Sequence, residues 1–359
     1  MSRRVYLHIG APKTGTSYVQ DRLRLNRRPL AAHDVHYPLG PLGLPSSHFK
    51  PALEVIRRDW GGALADAEGS WARLMRRVRR LDGTVVISHE ILAAADPEQI
   101  ARVMDDLAGS EVHVVYSARD LARQVPAAWQ ESVKQFGTMP YQRFLRRVRT
   151  RPDNLWFWMV QDLPAVLERW GAAIPSERVH LVTIPHPGSP PDLLWRRMCI
   201  VLGIDPAWAP RDSHRGNTSM GGPETTLVRR LNQRLRKAGL AAADHRALVT
   251  DLLVHQNLAR RGTTSRTVLP PRMLGWAEDV AEQWIGWALA SGIDVVGDLE
   301  ELRPVRPRGR AHSPDRALPR QMLGAAIDAL ALMVEEAARR PPSGFARRVG
   351  HTVRSVRNR

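Results

Sequence analysis

The chain has 359 residues, of which 43% are hydrophobic and 25% charged, ordinary values for a globular protein with room for one large or two ordinary domains. No apolar run approaches the eighteen or more residues of a membrane span, and Arg3 and Arg4 lead straight into an apolar strand pattern rather than a secretory leader. The single cysteine, Cys199, excludes an internal disulfide and a cysteine-based metal cluster, and together these features lead to the expectation of a cytoplasmic protein.

The 53 basic residues outnumber the 36 acidic ones, for a net charge of +17. Nearly all are arginine, with lysine only at 13, 50, 134 and 237. An Arg-, Ala- and Pro-rich composition follows from a GC-rich coding sequence. The charge is spread along the chain rather than gathered on one helix, so attraction to an acidic cofactor, substrate or membrane surface explains it as well as nucleic acid does. Nucleic acid is therefore the minority reading.

The first element is a strand over 4–9, a short aliphatic run. A glycine-rich loop follows it directly. Read from Gly10, the loop is G-A-P-K-T-G-T-S, two glycines and a closing Ser17 at the spacing of a nucleotide-binding phosphate loop. That pattern requires a lysine after the second glycine; here Thr16 holds the place and Lys13 lies inside the loop. A turn of this kind between a buried strand and a helix presents amides and a helix N-terminus to an anion, and Thr14, Thr16 and Ser17 add hydroxyls. The bland alternative is a tight turn in which glycine serves geometry alone.

A helix over 17–26 comes next, then helices over 70–81 and 97–107, the latter opened by Asp96 and Pro97. Strands are expected over 84–88, 111–117 and 178–184, each short, apolar and separated from the next by helical pattern. Helices over 121–135 and 155–170 contain Pro126 and Pro164, which would kink or interrupt them. Such alternation is the mark of an α/β fold built on a parallel sheet. Beyond residue 222 the pattern turns wholly helical, over 223–238, 244–260 and 271–290. The stretch 303–320, with four prolines, six arginines and one acid, reads as a linker before an amphipathic helix over 319–339. The tail from Pro341 holds five arginines and no acid, suited to a peripheral contact with an anionic membrane or to simple solvation. The expected division is 1–222 for the nucleotide-binding α/β unit, 223–302 for a helical region packed on it, and 303–359 for linker, last helix and basic tail.

The string APKTGTSYVQ resembles the 5′-phosphosulfate loop of the sulfotransferases that use 3′-phosphoadenosine 5′-phosphosulfate (PAPS), written P-K-[ST]-G-[ST]-[ST]-x-[LV]. Pro12, Lys13, Thr14, Gly15, Thr16 and Ser17 match position for position, and Val19 meets the last. The resemblance implies a P-loop-like parallel sheet with flanking helices and a helical C-terminal region. It also implies transfer of a sulfuryl group by in-line displacement to a hydroxyl or amine, with 3′,5′-ADP as product and no metal expected. Gly10, Ala11 and residues Pro12 to Ser17 would hold the phosphosulfate, and Lys13 would stabilise the leaving oxygen. A ligand with one phosphate and one sulfate has no γ-phosphate for a Walker lysine, which accounts for the lysine inside the loop.

Under the same resemblance, the segment after 84–88 supplies the base. His89 and Glu90 both stand there; imidazole titrates near neutral pH unaided, whereas a carboxylate needs burial to do so. In a strand their side chains point to opposite faces, so one of the two reaches the site. Arg119, at the end of the 111–117 strand, matches the family's 3′-phosphate arginine. The serine expected eight residues later is Ala127, a departure that Ser117, Gln124 or a later loop would have to make good. Asn217 and Ser219, with Arg215, form a short loop resembling the one that covers the nucleotide. Trp129, Trp156, Phe157 and Trp158 line an acceptor pocket or sit in the core, and His48 is a candidate acceptor contact. The acceptor itself, small molecule, glycan, lipid or peptide, is open. The competing readings are a nucleotide-dependent kinase with a degenerate P-loop and a catalytically silent relative that binds a sulfated or phosphorylated partner.

Overall fold

The computed structural model describes residues 3–40, 48–60, 63–152, 154–213, 220–259, 261, 266–306 and 313–339. In chain order the regular elements are β1 (Arg4–Gly10), α1 (Thr16–Leu25), α2 (Arg27–Ala31), β2 (Val35–His36), α3 (Phe49–Ile56), α4 (Ser70–Val78), β3 (Thr84–Ser88) and α5 (Pro97–Asp106). There follow β4 (Glu111–Ala118), α6 (Leu121–Lys134), α7 (Tyr141–Thr150), α8 (Trp156–Gln161), α9 (Leu163–Gly171), β5 (Val179–Thr183) and α10 (Leu193–Leu202). The last are α11 (Gly222–Lys237), α12 (Ala242–His245), which continues as a π-helical segment Arg246–Leu258, α13 (Leu274–Ala290), β6 (Asp294–Val296) and α14 (Pro319–Arg339).

All six strands pair in parallel, in the order β2-β3-β1-β4-β5-β6. The four strand patterns seen in the sequence form the middle of this sheet. Each is apolar on both faces because helices cover both. Val5, Leu7 and Ile9 of β1 pack with α3 to α9 on one side, while Tyr6 faces Val19 and Leu23 of α1 and Trp195 of α10 on the other.

Two expectations are corrected. The chain after 222 is not wholly helical: β6 returns to the sheet beside β5. Three residues are too few to show a strand period in sequence, and what holds them is tertiary. Arg197 of α10 donates to both carboxylate oxygens of Glu301, at 2.5 and 3.0 Å, and to Thr183 at the end of β5. Pro126 does not interrupt α6, which runs unbroken from Leu121 to Lys134 with Val125, Pro126 and Trp129 buried. Packing on the sheet outweighs the lost hydrogen bond. The interruption expected within 155–170 is found: α8 and α9 are separate helices that part at Asp162. Pro164, in the first turn of α9, suits a helix start and not an interior.

The stretch expected to be a linker is anchored where it is described. Both Asp315 carboxylate oxygens accept from the α7 amides of Tyr141 and Gln142, at 2.9 and 2.8 Å. Thr226 donates to the carbonyl of buried Pro314.

The topology places one point apart from the rest. β3 and β4 flank β1 on opposite sides; the chain leaves β1 through α1 toward β2 on one face of the sheet and leaves β3 and β4 toward β4 and β5 on the other, so the crevice of a switch point opens at the end of β1. The glycine-rich loop lies there.

Candidate active site

The loop residues 10–17 join β1 to α1. Ala11 closes the strand end, its amide donating to Ser117 O of β4 at 2.8 Å. The chain then turns through two left-handed positions, Lys13 at φ 67° and Gly15 at φ 84°. Thr14 is buried and donates its hydroxyl to Ala11 O at 2.6 Å, which fastens the turn from inside. Pro12 O accepts from Gln124 at 2.5 Å and from Gln161 at 3.0 Å, fastening it from outside.

With those bonds made, the amides of Lys13, Thr14, Gly15, Thr16 and Ser17 have no acceptor among the described residues. A helix N-terminus always leaves its first amides without an intrahelical partner; here three further amides of the preceding turn join them. Five consecutive N–H groups at the end of the central strand are thus left available, the arrangement that suits an anion. Ser17 is exposed and Thr16 is buried at the first turn of α1.

Gly15 is needed for its geometry. A Cβ there would lie 2.5 Å from Leu194 Cδ2 and would sit on a left-handed residue. Leu194 can yield, so the backbone is the larger cost. Gly15→Ala is expected to lower stability by about 1–3 kcal/mol in a denaturant melt. Gly10, at φ 132°, brings the loop against β3's exit, since a Cβ there would lie 3.1 Å from Glu90 O.

Lys13 is not free in this arrangement. Its Nζ lies 3.1 Å from Glu131 Oε2 of α6, and Lys134 Nζ lies 3.8 Å from the same oxygen. Burial alone would raise the Glu131 carboxyl, but Lys13 and Lys134, with a hydrogen bond from Gln135, hold it down at about 2. Burial lowers the Lys134 ammonium and Glu131 works against that.

At the end of β3 the strand geometry stops at Ser88, and His89 caps a short 3-10 turn over Glu90–Ala94. The expectation that the two side chains alternate about a strand is thereby replaced. His89 Nδ1 accepts a long, 3.4 Å bond from the Ile91 amide, and its ring packs 5.3 Å from that of Phe49. Burial holds its pKa below the usual imidazole value, with Glu90 opposing. Glu90 accepts from Gln20 of α1 at 3.2 Å. Burial would raise its carboxyl, but His89 and hydrogen bonds that include Gln20 and Thr16 keep it below the usual range.

Arg119 follows β4. Its Nε donates to Gln124 at 2.9 Å and its Nη2 to Arg123 O at 3.1 Å, while Nη1 makes no hydrogen bond among the described residues. Burial pushes the guanidinium down to about 10, with Arg123 adding to the shift and Asp120 opposing it. Asp120 itself pairs with Arg123, not with Arg119. Gln124 therefore links Arg119 to the loop through Pro12, a relay no sequence pattern announces. Ala127 sits half-buried on α6. Neither substitute considered for its missing hydroxyl is uncommitted: Ser117 bonds His8 at 3.3 Å and Gln124 bonds Arg119 and Pro12. Asn217, Ser219 and Arg215 lie outside the described residues.

The structure thus brings the loop, Glu90 and Arg119 around the end of β1. It takes His48 out of consideration as an acceptor contact: the ring is buried, Nε2 donates to Pro38 O at 2.8 Å and Nδ1 accepts from the Ser88 amide at 3.2 Å. Trp129, Phe157 and Trp158 are core residues, with Trp156 half-buried against Trp60. Glu131 and Lys134 were missed. Their i, i+3 spacing was legible on α6, but not that it faces a loop 118 residues away.

The fold and loop define a three-layer α/β protein with a glycine-rich turn of unpartnered amides at the end of its central strand. No family model matches the chain, and no curated protein matches it. Among solved structures it is similar to a sulfotransferase from Alicyclobacillus acidocaldarius, at 18% identity over 69% of this chain and 96% of that one, with a TM-score of 0.40. It is also similar to the sulfotransferase domain from the curacin biosynthetic pathway, at 14% identity over 78% and 96% of the two chains, with a TM-score of 0.36. Both scores are below 0.5, and the functional reading rests on this chain's own loop and sheet. No helix among the described residues is long and apolar enough to cross a membrane.

Proposed function

We propose that the chain is a PAPS-dependent sulfotransferase that moves a sulfuryl group to a hydroxyl or amine acceptor in the cytoplasm. One observation carries the reading: five consecutive unpartnered amides run from Lys13 to Ser17, and the lysine stands inside the turn rather than after it. PAPS, when bound, supplies an activated sulfuryl group on a nucleotide phosphate.

The residues present fit the 5′ half of that ligand. The amides and the Ser17 hydroxyl would hold the phosphosulfate, with Lys13 beside its bridging oxygen. Lys13 can turn from Glu131 to a ligand without leaving a lone buried charge, because Lys134 stays beside that carboxylate. The 3′ half fits in part: Arg119 offers Nη1, which makes no hydrogen bond among the described residues. A transferring sulfuryl group carries less charge than a phosphoryl group, so alignment and fixed dipoles can carry much of the catalysis without a divalent ion.

Of the two candidate bases, Glu90 stands beside the loop, bonded to Gln20, while His89 has the chemistry of a base. Its lowered pKa leaves it neutral at pH 7, and its Nδ1 lone pair is only loosely held by the Ile91 amide. Glu90, a carboxylate held below its usual range, is a weak base; its bond to Gln20 instead fixes α1 against β3.

The test is a thermal-shift titration with 3′,5′-ADP against Mg-ATP. A ligand at 100 times its Kd adds about 2.7 kcal/mol, expected as a rise in Tm of about one or two degrees or more. A shift with 3′,5′-ADP and none with Mg-ATP is the expected result. A shift with Mg-ATP alone would move the protein to phosphoryl transfer, and silence from both would remove the nucleotide reading.

A further inference from the structure

Four titratable side chains form a row on the face of the sheet covered by α1 and α10, toward the amino ends of the strands and so away from the loop. His113 of β4 and His180 of β5 are its centre, with Nδ1 of the first 2.8 Å from Nε2 of the second. The ring planes lie within 13° and the centroids 5.1 Å apart, so the rings meet through their edges, as a hydrogen bond between nitrogens requires. A carboxylate stands at each outer end: Glu111 is 3.0 Å from His113 Nε2, and Asp294 of β6 is 2.7 Å from His180 Nδ1. Tyr6 of β1 stacks on His113 with centroids 4.5 Å apart. His180 is only 6% exposed, whereas both carboxylates reach solvent.

The row as built holds one proton more than its neutral parts supply. Each of its three contacts needs one hydrogen between two heavy atoms. Two ionised carboxylates bring none and two neutral imidazoles bring one each. Without a third, two ring nitrogens face each other as lone pairs, or a carboxylate faces a lone pair. Burial lowers the His113 pKa, with Glu111 opposing and His180 and Arg178 adding. His113 is therefore the neutral ring, donating from Nε2 to Glu111 and accepting at Nδ1, and His180 donates from both nitrogens.

We propose that the His113–His180 pair is a binding site for one proton, held in the range of about pH 5 to 8 in which imidazole titrates, and that this proton fastens the edge strand β6 to β5. Arg4, at 3.9 Å, and Arg178, at 3.8 Å, both offset Glu111. Asp294, whose only ion pair among the described residues is with His180, is the carboxylate left to balance the proton. Burial raises the Tyr6 phenol, so it stays neutral. From α10, Arg197 is committed to Glu301 and Thr183, and Cys199 is a buried thiol pushed up to about 12. When the proton leaves, His180 keeps Nε2–H for His113 and turns a lone pair to Asp294. That contact opens first, because Asp294 is partly exposed on a strand of three residues while Glu111 keeps a donor and two arginines. β6 then rests on its ladder to β5 and on the Arg197–Glu301 pair beyond its far end. The sign is opposite to that of a histidine buried neutral: this site adds stability as pH falls through its titration.

The test is nitrogen NMR of the full-length protein labelled in its histidine rings, with His113→Gln and His180→Gln used to assign the two sets of signals. At about pH 6 one ring is expected to carry hydrogen on both nitrogens and the other on Nε2 alone. One proton is expected to leave by about pH 8, in a step that moves both rings together. Exchange of the β6 amides should then quicken about tenfold beyond its ordinary rise with pH, for the loss of one charge-assisted bond. Asp294→Asn offers Nδ1 either a donor or an acceptor, so it should abolish the joint step and the added exchange while keeping the far-UV spectrum. Two neutral rings throughout the range, rings that titrate independently, or a joint step that survives Asp294→Asn would overturn the proton site. A joint step with no change in β6 exchange would overturn its role as a fastening.

Discussion

Lys13→Ala is expected to lower sulfuryl transfer from PAPS by about 10²-fold or more while leaving the fold intact. The side chain is about one-third exposed and its only polar partner in the described structure is Glu131. The left-handed backbone at residue 13 carries a Cβ in either case, so alanine adds no strain there. The Glu131 carboxylate keeps Lys134, so removing Lys13 does not strand a buried charge. What is lost is a cation within a loop of amides, used where charge develops on the leaving oxygen. The loss should therefore appear mainly in kcat, with weaker binding of 3′,5′-ADP as the smaller effect. Equal rates for the variant and the wild type would remove Lys13 from the chemistry. A lower rate accompanied by a much lower Tm would mean that the Lys13–Glu131 pair holds the loop together instead.

The second large expected effect is loss of stability between pH 6.5 and 4. His8, His48 and His245 are buried, and burial lowers each pKa from the ordinary 6.5 to about 4. Each is bonded in its neutral form: His8 to Ser88 at 2.8 Å, His48 to Pro38 O and the Ser88 amide, His245 to Asn232 at 2.9 Å. The sign follows from proton counts. Below pH 6.5 the unfolded chain takes up protons that the folded one refuses until about pH 4, so unfolding becomes easier as pH falls. The contribution is fully present above pH 6.5 and is lost across that window. Each group is worth about 3 kcal/mol at the acid limit, so the three together rival the whole stability of an ordinary domain. Glu131 adds a further loss in the same direction, beginning at its unfolded value near 4.5 and continuing toward about 2. Urea melts at steps from pH 7.5 to 4.5 should show the decline. A flat unfolding free energy across that range would mean these rings are solvated or protonated in the folded state. Replacing His48 by glutamine, which keeps a donor and an acceptor, should flatten part of the slope.

Much of the fold was legible because its signals are local. Four buried strands announce themselves as short apolar runs, and Asp96 followed by Pro97 marks the start of α5 in the sequence, where the structure adds a capping box with Gln99. The loop was legible for the same reason: glycine, threonine and serine at fixed offsets after a strand leave little choice of geometry. The remaining helices were harder. The short α3 and α7 have clear apolar faces, yet each is bounded by weak end signals and takes its bounds from what it packs on. β6 was invisible because three residues carry no period, and it becomes a strand only where β5 offers an edge.

By itself, then, the sequence determined a parallel α/β sheet and a tight glycine-rich loop after its first strand, since both depend on residues a few positions apart. Tertiary structure alone decided which groups surround that loop. It set Glu131 against Lys13, tied Arg119 to Pro12 through Gln124, turned Glu90 to Gln20, and closed His48 into the core. Those pairings join residues from 5 to 118 positions apart. The physical reason is that a side chain's pKa and its free valences depend on burial and on partners brought in by packing, and neither is encoded in the spacing of the residues that bear them.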